Sequence, residues 1–309
     1  MGDRKERTFR QLLILFEKEN EEQILGKYAS DLYRLQAELA EHGVKTEWNF
    51  YEKKEFAFHV QQNILAQDVT DNPYLQHDSL FLTDSPHMLA ILKLWGLYAV
   101  ALVHEENRNA SFHDARYVLE GLEGADYTYL QRVYQRFAGL PWEILVTEHL
   151  QVRESTVEDV EEFYRIYKDP SITYYMENLF PDPEMEKAYM RNYIHRIYDF
   201  YGYGLWTILC RETGQVIGRA GVSVRDGYEL PELGFMIEAA YQRKGYAWEV
   251  CTAILQYAGE ELQMEGLQAL ACSENEASVR LLTKLGFEDL GEVKEDGQTY
   301  RRWVKMLKK

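Results

Sequence analysis

The sequence predicts an α/β protein in two parts, a small parallel layer followed by a mixed central sheet flanked by helices. Three observations lead there. From Ser79 to Val103 a strand, a short helix and a second strand follow one another, the order of a βαβ crossover, whose strands run parallel. From Leu205 to Ile237 several short strands run close together, the first two separated by the hairpin-length turn Glu212-Thr213-Gly214-Gln215. Between these regions Ala138-Gly139-Leu140-Pro141-Trp142 reads as the end of one layer and a linker. The expected domains are residues 1–145, Rossmann-like, and 150–309, within the size that 309 residues allow.

In order along the chain, Leu12 to Phe16 is an apolar strand, and Ile24, Tyr28, Leu32, Leu35 and Leu39 recur at helical spacing until Gly43. A strand over Lys45 to Phe50 and a helical segment through Leu65 follow. The crossover then runs through strand Ser79–Thr83, helix Pro86–Trp95, Gly96 and strand Leu97–Val103. In the second part Leu150–Arg153 alternates as a strand, and helices are expected over Thr156–Lys168 and Pro183–Phe200. Strands Leu205–Cys210, Val216–Val224 and Leu230–Ile237 come next, then an amphipathic helix, strand Leu267–Ala271, another helix and closing strands near Phe287–Val293 and Thr299–Met306.

Composition narrows the function. With 46% hydrophobic residues the chain can build real cores, and no apolar run approaches the roughly 20 residues that span a bilayer. Neither end reads as a targeting segment, so a cytoplasmic protein with no membrane partner is expected. A net charge of −17 excludes a general nucleic-acid binder, which needs a basic face. The acidity suits a cationic amine partner, and equally suits solubility alone. Cys210, Cys251 and Cys272 are odd in number and lack paired spacing, predicting neither a disulfide framework nor a metal site.

The informative stretch is Glu232-Leu233-Gly234-Phe235-Met236-Ile237 followed by Gln242-Arg243-Lys244-Gly245-Tyr246-Ala247. A strand runs into a tight glycine loop and a helix starts at once. Ala247, Val250, Cys251, Ile254, Leu255, Ala258 and Leu262 form one apolar stripe, so that helix packs on the sheet and leaves its amino end open. A first helical turn has unpaired N–H groups and a partial positive charge, and Gly245 lets an anion approach without a Cβ in the way. The residues alone therefore point to a phosphate site or a plain turn into a helix.

Gln242-x-x-Gly245-x-Ala247 resembles the signature of the GNAT family of N-acetyltransferases. Asn275-Glu276-Ala277-Ser278 and Leu281-Leu282-Thr283-Lys284-Leu285-Gly286-Phe287 resemble that family's next helix and its Leu-Gly-Phe end, and the order of elements fits from Leu150 to Met306. Within the family the chain looks most like the branch of the ribosomal-protein alanine acetyltransferases. The resemblance implies acetyl-coenzyme A as cosubstrate. Backbone amides of Arg243, Lys244, Gly245, Tyr246 and Ala247 would hold the pyrophosphate, with Gln242 shaping the loop. Main chain at Met236 and Ile237 would pair with the pantetheine arm like an added strand, and an amide there could polarise the thioester carbonyl. Asn275 and Ser278 would contact the arm, and Asn275 also suits a simple N-cap.

The implied reaction is direct attack of a neutral primary amine, of a small molecule or peptide, on the thioester. Glu232 is the first choice of base, Glu229 the second, with a solvated strand edge as the alternative for both, and Ser278 would assist the leaving thiolate. Leu282 stands where many relatives carry a tyrosine that protonates the thiolate, which leaves a dedicated acid in question. Tyr174, Tyr175, Tyr189, Tyr193, Tyr198, Tyr201 and Tyr203, with Trp206 and Glu177, suit a cationic amine, although Tyr189, Tyr193 and Ile197 also read as core. His195 reads as a surface residue. The alternative function is a non-catalytic acetyl-coenzyme A sensor with the first domain as ligand or partner module. A homodimer is compatible with either.

From Ser79 to Pro141 the chain also resembles the tail of a haloacid-dehalogenase-like Rossmann domain, through Leu82-Thr83-Asp84-Ser85, Gly96, and Tyr129-Leu130 to Arg136 before Gly139-Leu140-Pro141. That family's aspartate pair is missing, since Phe16-Glu17-Lys18-Glu19 follows the first strand. The expectation is a degenerate, non-catalytic layer, with Ser85 capping a helix that opens on Pro86.

Overall fold

The computed structural model describes residues 8–56, 78–295 and 297–307. It divides into two units, Met1–Leu140 and Pro141–Lys309.

In the first unit β1 (Gln11–Glu17) carries five consecutive buried residues, Leu12 to Phe16, as a strand covered on both faces must. It pairs in parallel with β2 (Lys45–Tyr51) and with β3 (Ser79–Thr83), which pairs with β4 (Ala99–Val103) and that with β5 (Val118–Glu120). The sheet order is β2-β1-β3-β4-β5, all parallel. Helix α1 (Glu21–Glu41) buries Ile24, Tyr28, Leu32, Leu35 and Leu39, the expected stripe, against one face with α3 (Tyr127–Ala138). Helix α2 (Pro86–Leu94) covers the other face with Met88, Leu89 and Leu92. Ser85 caps α2 by accepting from the Met88 N–H at 3.4 Å, with Pro86 in its first turn. The helical segment expected through Leu65 lies largely outside the described residues.

The second unit holds an eight-stranded mixed sheet: β6 (Glu143–Val146), β7 (Leu150–Arg153), β8 (Leu205–Cys210), β9 (Val216–Ser223), β10 (Glu232–Ile237), β11 (Gly266–Ala271), β12 (Glu288–Glu295) and β13 (Gln298–Met306). Its order is β12-β13-β11-β10-β9-β8-β7-β6. Strand β6 pairs antiparallel with β7, so Glu143 to Leu145 belong to this sheet and not to the first layer, where the sequence reading placed them.

Helices α4 (Asp159–Tyr167) and α5 (Pro183–Tyr193) cover one face, with Phe163, Met190 and Met236 among the buried contacts. Helix α6 (Tyr246–Glu260) covers the other and buries Val250, Cys251, Ile254, Leu255 and Ala258. Helix α7 (Glu276–Lys284) follows β11. The helix expected to run from Pro183 to Phe200 keeps α-geometry only to Tyr193 and widens into a π-turn over Ile194–Tyr198. There the buried Tyr198 hydroxyl donates to the Leu205 carbonyl and accepts from the Ser155 N–H, contacts that fix the local winding.

Candidate functional site

Strands β10 and β11 run parallel, yet they pair at a single position, Glu232 with Gln268. The Gln268 N–H donates to the Pro231 carbonyl at 2.8 Å, and beyond that point the register ends. The two strands thus part into a V inside the sheet, opening toward the loop after β10. On its other side β10 pairs with β9 along its whole length.

Which backbone groups face the V follows from the ladder. The Glu238 N–H donates to the Ile217 carbonyl at 2.7 Å, and the Val222 N–H to the Gly204 carbonyl at 3.1 Å. Hydrogen-bonded pairs alternate along an antiparallel ladder, so Met236–Arg219, Gly234–Gly221 and Glu232–Ser223 are bonded pairs. Met236 therefore spends its backbone groups on β9. Phe235 and Ile237 turn theirs to the V, and of the two residues singled out in the sequence only Ile237 does so. Its carbonyl accepts from Gln242 Nε2 at 2.9 Å, so Gln242 ties the loop to the strand end. The alternation that selects Phe235 depends on the pairing with β9, which no sequence pattern reveals.

A short 3₁₀ turn, Ala239–Tyr241, leads to the loop, where Arg243 (φ 61°) and Gly245 (φ 89°) are both left-handed. Gly245 is the N-cap of α6, and no side chain caps that helix. The first helical bond is Glu249 N–H to the Gly245 carbonyl at 3.0 Å, which leaves the amides of Tyr246, Ala247 and Trp248 at the open end. Gln242 to Gly245 are exposed, and Lys244 Nζ lies 4.8 Å from the Tyr241 ring centroid. Open amides, the helix dipole and two basic side chains make a place for an anion. The acidic residue of the first turn, Glu249, is engaged elsewhere, by the Thr147 hydroxyl at 2.6 Å and the His149 N–H at 2.9 Å.

Across the V, Asn275 caps α7 by accepting from the Ser278 N–H at 3.1 Å, and both side chains are half-buried. The capping role expected of Asn275 is present. Tyr175, from the segment ahead of α5, donates to the Glu274 carbonyl at 3.0 Å and brings that segment against the start of α7. Leu282 is a core residue, 1% exposed, where a thiolate-protonating hydroxyl would have to reach the V.

Side chains alternate across β10, so Glu232, Gly234 and Met236 share the face covered by α4 and α5. Gly234 lies opposite Gly221, and Leu205 Cδ2 sits 3.0 Å from where a Cβ on Gly234 would be. Glu232 neighbours Gly234 on this face. Its Oε2 accepts from Arg225 Nη1 at 3.0 Å, and Arg225 Nη2 lies 3.8 Å from Glu295, whose Oε1 takes the Tyr228 hydroxyl at 2.6 Å. Burial lifts the Glu232 carboxyl above its ordinary range, Arg225 pulls it back in part, and Glu295 adds to the rise. Glu229 is exposed on the preceding loop. Arg225 and Gln268 escaped notice in the sequence because each joins the site through another strand or loop.

The tyrosine-rich stretch divides by exposure. Tyr198 and Trp206 are core, and Tyr193 is packed beneath, its hydroxyl accepting from the Leu205 N–H at 2.8 Å. Tyr174, Tyr189 and Tyr201 are exposed, as are Glu177 and His195. Among the described residues no helix is long and apolar enough to cross a membrane, and no group of three or more His, Cys, Asp or Glu side chains could hold a metal ion.

Residues 149–288 match the family model described as an acetyltransferase (GNAT) domain. An uncharacterized N-acetyltransferase, p20 of Bacillus licheniformis, is 29% identical over 157 residues, covering 50% of this chain and 86% of that protein. The uncharacterized N-acetyltransferase YoaA of Bacillus subtilis is 29% identical over 156 residues, 49% of this chain and 86% of its own length. Among solved structures, a ribosomal-protein-S5-alanine acetyltransferase from Vibrio fischeri superposes with a TM-score of 0.47 at 16% identity, over 53% of this chain and 96% of that one.

Proposed function

We propose, taking as premise that residues 149–288 are a GNAT acetyltransferase domain and hence an acyltransferase that uses acetyl-coenzyme A, that the chain moves the acetyl group directly onto a primary amine of a small molecule or peptide. The observation that carries this reading is the uncapped start of α6 at left-handed Gly245, placed at the mouth of the V between β10 and β11. In it the pyrophosphate takes the amides of residues 243–247 with Gln242 bracing the loop. The pantetheine arm enters the V along Phe235 and Ile237 as an added strand, passing Asn275 and Ser278. The thioester then lies near Gly234, beside Glu232.

Glu232 accepts the proton of the incoming ammonium, directly or through a water, and the neutral amine attacks the carbonyl carbon. A backbone N–H on the free edge of β10 steadies the oxyanion. Collapse breaks the C–S bond and expels the coenzyme A thiolate, which takes up the second amine proton directly or through water. A thiol of pKa near 8.5 leaves tolerably as its anion, so Leu282 in place of a tyrosine does not stop the reaction. The raised Glu232 pKa suits a base that works near neutral pH. Exposed Tyr174 and Tyr189, with Glu177, would receive a cationic acceptor. Glu229, exposed on its loop, is the weaker choice of base.

The buried Leu282 favours the second reading, a cofactor-binding sensor without turnover. The first unit is read as a degenerate haloacid-dehalogenase-like layer that serves as ligand or partner module, and the chain as cytoplasmic. Thiol release from acetyl-coenzyme A against a panel of amines separates the two readings. The enzyme reading expects amine-dependent release that falls by about 10² to 10⁴ in Glu232→Gln with cofactor affinity kept. Cofactor binding with no release on any amine would favour the sensor.

A further inference from the structure

Gln268 is fully buried, at 0% exposure, on the one residue of β11 that pairs with β10. Its Oε1 accepts from Arg302 Nε at 2.8 Å. A guanidinium only donates, so this contact fixes the carboxamide orientation and turns the NH₂ group the other way. That Nε2 is buried and has no hydrogen-bond partner. Leaving a buried donor unpaired is costly, and this one is free to take an acceptor in another state of the site.

In-register residues of neighbouring strands carry their side chains on the same face, about 4.8 Å apart. The side chain set beside Gln268 in this way is that of Glu232, whose Oε2 takes Arg225. We infer that Gln268 is a positioning residue for Glu232, donating from Nε2 to the carboxylate when the acceptor amine draws it from Arg225 toward the thioester. The inference rests on Glu232 being the base.

The charged and ionisable groups around Glu232 are Arg225 and Tyr228 from the loop before β10, Glu295 from β12, and Arg302 from β13, which stacks on Tyr228 at 5.0 Å. Arg225 stabilises the carboxylate at rest and Glu295 destabilises it. Once the carboxylate leaves Arg225 to meet the amine, a neutral donor is needed that holds it in place without quenching its basicity. Arg302 fills a supporting role by aiming the carboxamide.

The test is the pH profile of kcat in Gln268→Met and Gln268→Leu. Both remove the donor without adding a charge beside Glu232, and the second offers a different apolar shape should the first fold poorly. The expected result is an acidic limb moved up by about one pH unit, with lowered kcat and an unchanged KM for acetyl-coenzyme A. A folded variant whose acidic limb stays at the wild-type position, whatever its stability, overturns the inference. Glu232→Gln run in parallel tells the two claims apart. If it abolishes the acidic limb while the Gln268 variants leave theirs unmoved, only the positioning role falls. An acidic limb that persists in Glu232→Gln removes the base and this inference with it.

Discussion

His104 shows how much chemistry one residue of the first unit can hold. It lies just past β4, with Nε2 3.2 Å from Asp84 and Nδ1 2.9 Å from Glu106, and its side chain is fully buried. Asn107 donates to the Asp84 carbonyl at 2.8 Å, and the Glu17 N–H reaches the Asp84 carboxylate at 2.9 Å. Burial opposes charge on the imidazole, but the hydrogen bonds to Asp84 and Glu106 outweigh it and raise the His104 pKa. A raised folded-state pKa contributes stability that is full below the unfolded value, near 6.5, and is lost as pH rises through the folded one. The thermal stability of the first unit should therefore fall as pH climbs above about 6.5, and His104→Gln should flatten that slope. An unchanged slope in the variant would show that other groups set it. Ser85 as the cap of α2 was legible in the sequence, because a cap is a local pattern. The pairing of Asp84 with His104 was not, because it depends on two strand ends meeting.

Helix α6 and the loop before it carry the cofactor reading at the level of elements. Gly245 at φ 89° has open space where a Cβ would point, so a substitution there suffers from backbone strain and not from a clash. Left-handed geometry costs a non-glycine residue about 1 to 2 kcal/mol. A valine there sheds the strain by leaving the left-handed shape that cofactor binding must restore. Gly245→Val should therefore weaken acetyl-coenzyme A binding roughly tenfold, since 1.4 kcal/mol is a factor of ten, while Glu232→Gln leaves it alone. Equal affinity in the valine variant would mean that the loop amides do not hold the ligand. The loop could be read from Gln242-x-x-Gly245-x-Ala247 because glycine, helix start and apolar stripe are neighbours in the chain. The V was hidden, since it arises where β11 returns beside β10 and pairs at one residue only. That is why Met236 stood out in the sequence while the free edge belongs to Phe235 and Ile237.

At the scale of the molecule, two units with separate cores divide the chain at Leu140 and Pro141. The α/β class and the order of elements were readable from periodicity and turn signals. The boundary shifted because β6 is only four residues long and shows its allegiance solely by pairing with β7. The net charge of −17 fits a cationic acceptor, and the aromatic residues beside the site differ in exposure in a way no helical wheel predicted. The account stands or falls with the cofactor. Calorimetric titration of acetyl-coenzyme A into the intact chain should show one saturable site per chain, weakened in Gly245→Val. An intact, folded chain that gives no binding heat at any temperature would contradict it.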